Sequence, residues 1–173
     1  DDSTDVKFVD VDNDGDLDLI VANRPGQSAA PSLYPHCRLL LNSGGTFTEV
    51  SDPEIWPLVD RFVRAEVILH GKFFGSGAED LLIGCSDTAN PYILLANDGT
   101  GRFTDVTAAR APSPPASQNF PVYGGDVGDV DNDGLLDVVW SVDTHTTAGT
   151  GIGPAAKIPV VLWLMNPQTG RFA

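Results

Sequence analysis

One nine-residue pattern occurs twice in this chain, with a worn copy between, and that repetition constrains the fold more than any other feature. Asp10-Val-Asp-Asn-Asp-Gly-Asp-Leu-Asp18 runs directly into the apolar stretch Leu19-Ile20-Val21-Ala22. Asp129-Val-Asp-Asn-Asp-Gly-Leu-Leu-Asp137 runs into Val138-Val139-Trp140. Between them, Lys72-Phe-Phe-Gly-Ser-Gly-Ala-Glu-Asp80 leads into Leu81-Leu82-Ile83 in the same frame, with most of its acids gone. A second shared block follows each loop. It reads Leu39-Leu40-Leu41-Asn42 and Gly45-Thr46-Phe47-Thr48-Glu49-Val50, then Ile93-Leu94-Leu95-Ala96-Asn97 and Gly101-Arg102-Phe103-Thr104-Asp105-Val106. Its third copy is Val161-Leu162-Trp163-Leu164-Met165-Asn166 and Gly170-Arg171-Phe172. The chain is therefore three copies of one unit.

Within each unit the apolar runs are short, Leu-rich or β-branched, and bounded by Gly, Asn and Asp, which are strand signals. In the first unit a strand at Val6 to Val9 enters the Asp loop and another at Asp18 to Ala22 leaves it. A third, Arg38 to Asn42, turns through a Gly-containing bend into Thr46 to Val50. No segment sustains a 3.6-residue period for ten residues, and Asp60 to Leu69 reads as a linker running into the next unit. Four antiparallel strands, repeated, is the blade pattern of a β-propeller. The expectation is one all-β domain over residues 1–173, a propeller segment with three blades at roughly 5–52, 65–108 and 122–173, the last lacking its fourth strand.

The Asp loops carry the chemistry. Calcium takes six to eight hard oxygens, mixing carboxylates with backbone carbonyls and water. Asp at loop positions one, three and five can aim carboxylates at one point, Gly at six permits the sharp turn, position seven can offer a carbonyl, and Asp at nine closes the shell. The candidate ligands are Asp10, Asp12, Asp14, Asp16 and Asp18 in the first loop, and Asp129, Asp131, Asp133, Leu135 and Asp137 in the second. Leu135 at position seven fits a carbonyl ligand and makes the Asp16 carboxylate dispensable. An EF-hand would need Glu at position twelve, where this chain has Val21 and Trp140, so that motif is excluded. Asp and Asn also favour turns that bind nothing. Against that reading, four carboxylates within nine residues repel, each close pair by about 1 kcal/mol even in water. Two calcium sites are expected and none at Lys72 to Asp80, where Lys72 either approaches Asp80 or lies exposed.

The loop, its following aliphatic strand, Leu-Leu-Asn and Gly-x-Phe-Thr-x-Val together resemble the FG-GAP/VCBS repeats of integrin-α-like propellers. Gly71 to Gly84 looks like a degenerate member of the same repeat. The resemblance implies calcium in the hairpin between a blade's first two strands and a secreted or cell-surface protein, often one of adhesion or recognition. Closed propellers have four to eight blades and open repeat arrays need caps. Either the chain is part of a longer polypeptide with further repeats, or other copies cover its open ends.

Composition bounds the function. With 24 acidic residues against ten Lys and Arg, the net charge of -14 argues against a nucleic-acid partner. No run of eighteen apolar residues is present, so no membrane-spanning helix is expected. No triad order, phosphate loop or His-rich metal cluster points to an enzyme. The expected role is a calcium-stabilised extracellular structural, adhesion or protein-interaction module. The alternatives are a carbohydrate-binding domain and the non-catalytic scaffold domain of a larger secreted enzyme. A protein or glycan partner would meet the long loops opposite the calcium loops, where Trp56, Tyr34, His36 and His145 are candidates for contact or for plain loop packing. Cys37 and Cys85 fall toward one face in neighbouring blades, and could be an interblade disulfide or two buried thiols.

Overall fold

A computed structural model describes residues 2–24, 37–59, 61–87, 91–112, 121–142 and 160–173. Each repeat folds as a consecutive antiparallel meander. The first unit is a four-stranded sheet of β1 (Asp2–Val9), β2 (Asp18–Arg24), β3 (Arg38–Ser43) and β4 (Thr46–Glu49), in that spatial order. The second repeats it with β5 (Ala65–Gly71), β6 (Asp80–Cys85), β7 (Tyr92–Asn97) and β8 (Phe103–Asp105), followed by one helical turn, α1 (Thr107–Arg110). The third unit pairs β9 (Val122–Gly128), β10 (Asp137–Val142) and β11 (Val160–Trp163) in one sheet, and β12 (Met165–Asn166) with β13 (Arg171–Phe172) in a small second one. The fold is all-β, as expected. No described helix is long and apolar enough to cross a membrane.

The third unit departs from expectation in one respect. Its fourth strand was expected to be missing, yet Arg171–Phe172 is that strand, paired with Met165 and Asn166. Leu164 interrupts the third strand but stays attached, its N–H donating to Ala173 O at 3.2 Å and its carbonyl accepting from Ala173 N at 3.0 Å. The register shows why. Leu40, Leu95 and Trp163 sit opposite Leu19, Leu81 and Val138, so the residues two further on are Asn42, Asn97 and Met165. Asn166, which matches those asparagines in sequence, is one residue out of step.

The central sheet is buried on both faces, and this explains why its strands read as unbroken apolar runs. Side chains alternate across a strand, so Leu81, Ile83 and Cys85 of β6 face the first sheet while Leu82 faces the third. One core joins Val9, Ile20, Ala22, Cys37 and Leu39 to Ile68, Ile93, Leu95 and Phe103, closed at its end by Trp56 and Leu58 of the connection. The other joins Leu69, Leu82, Tyr92 and Leu94 to Val138, Trp140, Trp163, Met165 and Phe172. Neighbouring units also share polar contacts: Asp5 accepts from Ile68 N at 2.8 Å, Thr4 Oγ1 donates to Ala65 O at 2.7 Å, and Arg24 pairs with buried Glu66 at 2.7 Å.

The outer faces of the first and third sheets are uncovered among the described residues. Phe47 is 42% exposed where its counterpart Phe103, packed against the first sheet, is 3% exposed. Val6 and Phe8 share that outer face, and Val160, Leu162 and Leu164 stand out from the third sheet.

Gly84 sets the approach of the second and third sheets. A Cβ there would lie 2.7 Å from Val67 Cγ1 and closer still to Val122 Cγ1. Gly84→Ala should therefore destabilise the protein by about 1–3 kcal/mol through overpacking. Gly128→Ala, with nothing within 4 Å of the new Cβ, should lack that steric cost. Denaturant unfolding of the two variants measures the difference.

Candidate metal centre

All three loops share one backbone. Positions four and six are left-handed in each: Asn13 and Gly15 (φ 61° and 94°), Gly75 and Gly77 (85° and 82°), Asn132 and Gly134 (61° and 89°). Only Gly, and Asn among the others, adopts this region readily, which is why those residue types recur. Position five caps the N–H of position seven. Asp14 accepts from Asp16 N at 2.8 Å, Asp133 from Leu135 N at 2.9 Å, and Ser76 Oγ from Ala78 N at 3.1 Å.

Position nine ties each loop to its sheet. One oxygen of buried Asp18 accepts from Val11 N (2.9 Å) and the other from Asn42 N in β3 (2.8 Å). Asp137 does the same with Val130 N (3.0 Å) and Met165 N (2.8 Å). Asp80 accepts from Phe73 N and Phe74 N (both 2.9 Å) and from Asn97 N (2.8 Å). Burial pushes the Asp80 carboxyl above the usual carboxylate range, against the opposing pull of these three donors. Lys72 is exposed, so of its two readings the structure shows the exposed one; the backbone, not an ammonium, satisfies Asp80.

The first and third loops add a cluster of acids. Asp10, Asp12 and Asp18 each bring one carboxylate oxygen within 4.8 Å of the others, and Asp129, Asp131 and Asp137 do likewise. Asp10 Oδ2 accepts from Gly15 N at 3.2 Å, while its Oδ1 is buried without a hydrogen-bond partner. Burial and the charges of Asp18, Asp14 and Asp10 push the Asp12 carboxyl up. A buried orphan oxygen among crowded carboxylates fits a hard, oxygen-seeking cation, which would neutralise the repulsion and use the free lone pairs.

The remaining candidates are placed differently. Asp14 and Asp133 lie outside these trios and serve as turn caps. Asp16 is not a cluster member either: its Oδ2 accepts from Gly44 N at 2.7 Å, tying the loop to the β3–β4 turn. Leu135, in the same place, packs its side chain against the second core. Trp56, a candidate for a contact surface, is fully buried, donates from Nε1 to Cys37 O at 2.8 Å and packs edge-on against Phe103. Its indole is core, and it is unavailable to a sugar or a partner. Tyr34, His36 and His145 lie outside the described residues. Cys37 and Cys85 are free thiols buried in the first core, so the disulfide reading is not what the structure shows. Burial pushes Cys37 up to about 11 and Cys85 higher, which keeps both protonated and unreactive.

Two asparagines outside the expected ligand set also matter. Asn97, visible only as part of the shared Leu-Leu-Asn block, donates to Val11 O at 2.7 Å, and Asn13 donates to Gly99 O at 2.9 Å. Both bonds join the first loop to the second unit.

Residues 73–140 match the family of FG-GAP-like repeats, from inside the decayed loop to the strand behind the intact one. The chain thus carries an FG-GAP-like repeat, in agreement with the resemblance read from its loops. No curated protein matches the chain.

Asp80→Asn should cost about 1–3 kcal/mol with or without chelator, because an amide cannot accept at both ends of this buried bridge. Chemical denaturation in chelator measures it, and an unchanged midpoint would contradict the assignment. Asp12 behaves oppositely. Its folded-state pKa lies above the ordinary value, so its contribution to metal-free stability is most favourable at low pH and falls as pH rises through the raised pKa. Asp12→Asn should therefore raise the melting temperature of the chelated protein at neutral pH, with the gain shrinking as pH is lowered through the carboxylate range.

Proposed function

We propose that the three units are successive blades of a β-propeller, completed by further repeats of the same chain or by other copies on its open faces. Loops 10–18 and 129–137 each hold one calcium ion, and loop 72–80 holds none. The module is an extracellular structural and protein-interaction element, not an enzyme, and calcium keeps its blades in shape.

One observation carries this reading. The middle loop retains everything that shapes it, namely left-handed positions four and six, a capping oxygen at five and a buried Asp at nine. It has lost the acids at positions one and three, replaced by Lys72 and Phe74. Those two acids are therefore dispensable for the loop's fold. In the other two loops they remain, together and close to the position-nine carboxylate, at a cost in repulsion that a bound cation would offset. Asp10, Asp12 and Asp18, and Asp129, Asp131 and Asp137, would hold the ions, which supply charge neutralisation and cross-linking of each loop. The open sheet faces support further units, because Phe47 and Val6 occupy places that are covered in the second unit by the first. Extracellular placement is part of the same proposal: calcium sites of extracellular modules bind at about 10⁻⁴ to 10⁻³ M, matched to millimolar calcium. Glycan recognition through Trp56 is set aside, since that ring is buried.

Thermal unfolding tests the proposal. At such affinities about 10 mM calcium should add about 1.4–2.7 kcal/mol per site. At roughly 2–4 °C per kcal/mol, the melting temperature should rise by several degrees over that in chelator. A melting temperature indifferent to calcium would overturn the reading.

A further inference from the structure

Loops 10–18 and 72–80 each lie where one unit meets the next. In the first, Asn13 Nδ2 donates to Gly99 O and Asn97 Nδ2 to Val11 O, so the loop is pinned by two hydrogen bonds to the β7–β8 turn of the second unit. The approach is close: a Cβ on Gly101 of that turn would lie 3.4 Å from Asp12 Cβ. Loop 72–80 makes the same approach to the third unit with different chemistry. Phe73 and Phe74 lie with ring centroids 5.9 and 6.3 Å from Phe172 in β13. Arg110 sits 5.8 Å over the Phe74 ring and donates to Gly170 O at 2.7 Å. Burial at loop position two records the arrangement. Val11 is 0% exposed and Phe73 7%, each beneath the following unit, whereas Val130 of the third loop is 55% exposed.

We infer that calcium binding in loop 10–18 is coupled to the docking of the second unit's β7–β8 turn, with Asn13 and Asn97 as positioning residues. This rests on the calcium reading of the loop. The two bonds grip the chain at Val11 and at Asn13, on either side of Asp12, and so hold that carboxylate near its partners before an ion arrives. Preorganisation of this kind strengthens binding by reducing what must be ordered on association. Loop 129–137 has the same acids at positions one, three and nine and the same φ of 61° at Asn132, but no such anchors among the described residues. Coupling between binding events is reciprocal, so an ion in loop 10–18 tightens the joint between the first two units. In the middle loop, aromatic packing through Phe74 occupies the place of the third-position acid and supplies the joint without a metal.

The test uses glycine, which keeps the left-handed backbone while deleting the side-chain bond. Asn13→Gly is placed in an Asp129→Asn/Asp131→Asn chain, where only loop 10–18 can load. Asn132→Gly is placed in an Asp10→Asn/Asp12→Asn chain, where only loop 129–137 can. Calorimetric titration with calcium chloride then gives each affinity with and without the glycine. The added freedom of glycine is common to both loops, so the difference reports the inter-unit bond. Asn13→Gly should weaken its loop about three- to tenfold more than Asn132→Gly weakens the other, the range of one net hydrogen bond. Equal losses in the two loops, with calcium bound in both parents, would overturn the coupling and leave the calcium reading standing. Parents that take up no calcium in either loop would overturn both.

Discussion

A buried carboxylate with its two oxygens turned to different parts of the backbone recurs in every unit, and the rest of each sheet is arranged around it. Asp18, Asp80 and Asp137 each collect an N–H from the start of the loop and another from the third strand. That single side chain closes the first hairpin and registers the third strand against it. Burying a carboxylate is costly unless its lone pairs are filled, and these are filled by donors that would otherwise be orphaned where the chain leaves regular pairing. The Asp at position nine therefore belongs to the fold before it belongs to any metal, and its retention in the middle unit has a physical reason.

From this follows a separation of roles within nine residues. Positions four, five, six and nine shape the turn in all three copies, by left-handed backbone, a short capping oxygen and the buried bridge. Positions one and three accept backbone N–H groups within the outer loops, yet the middle loop keeps the same left-handed positions without acids there. A second layer joins the units: the first loop reaches the second unit through Asn13 and Asn97, and the middle loop reaches the third through Phe73, Phe74 and Arg110. The loops thus stand between local folding and the stacking of sheets.

Much of this was legible in the sequence, and the residues show where legibility ends. The strands and their order could be read because short apolar runs and the turn residues that bound them are local properties, repeated in three copies. The acids at positions one, three and nine could be read as convergent because loop geometry at that length is nearly self-contained, whereas position five, expected to converge with them, caps the turn instead. Asp16 could not be placed, because its partner Gly44 lies beyond two intervening strands. Trp56 read as a loop aromatic serving either contact or loop packing, and only the packing of two sheets reveals that it plugs the end of their core. Asn97 looked like part of a repeated block, while its distinguishing bond reaches back to Val11 in another unit. The third unit's register was hidden by one residue, Leu164, which sequence matching aligns and strand pairing skips.

On the proposed function the carboxylates at positions one and three serve an ion, and the middle loop keeps the fold without one. The number of calcium ions bound per chain, measured by equilibrium dialysis with elemental analysis at millimolar calcium, tests it most directly. The account predicts two, falling to one when either Asp10 and Asp12 or Asp129 and Asp131 become Asn. Three ions, with the loop of Lys72 to Asp80 loaded, or none at all, would contradict it.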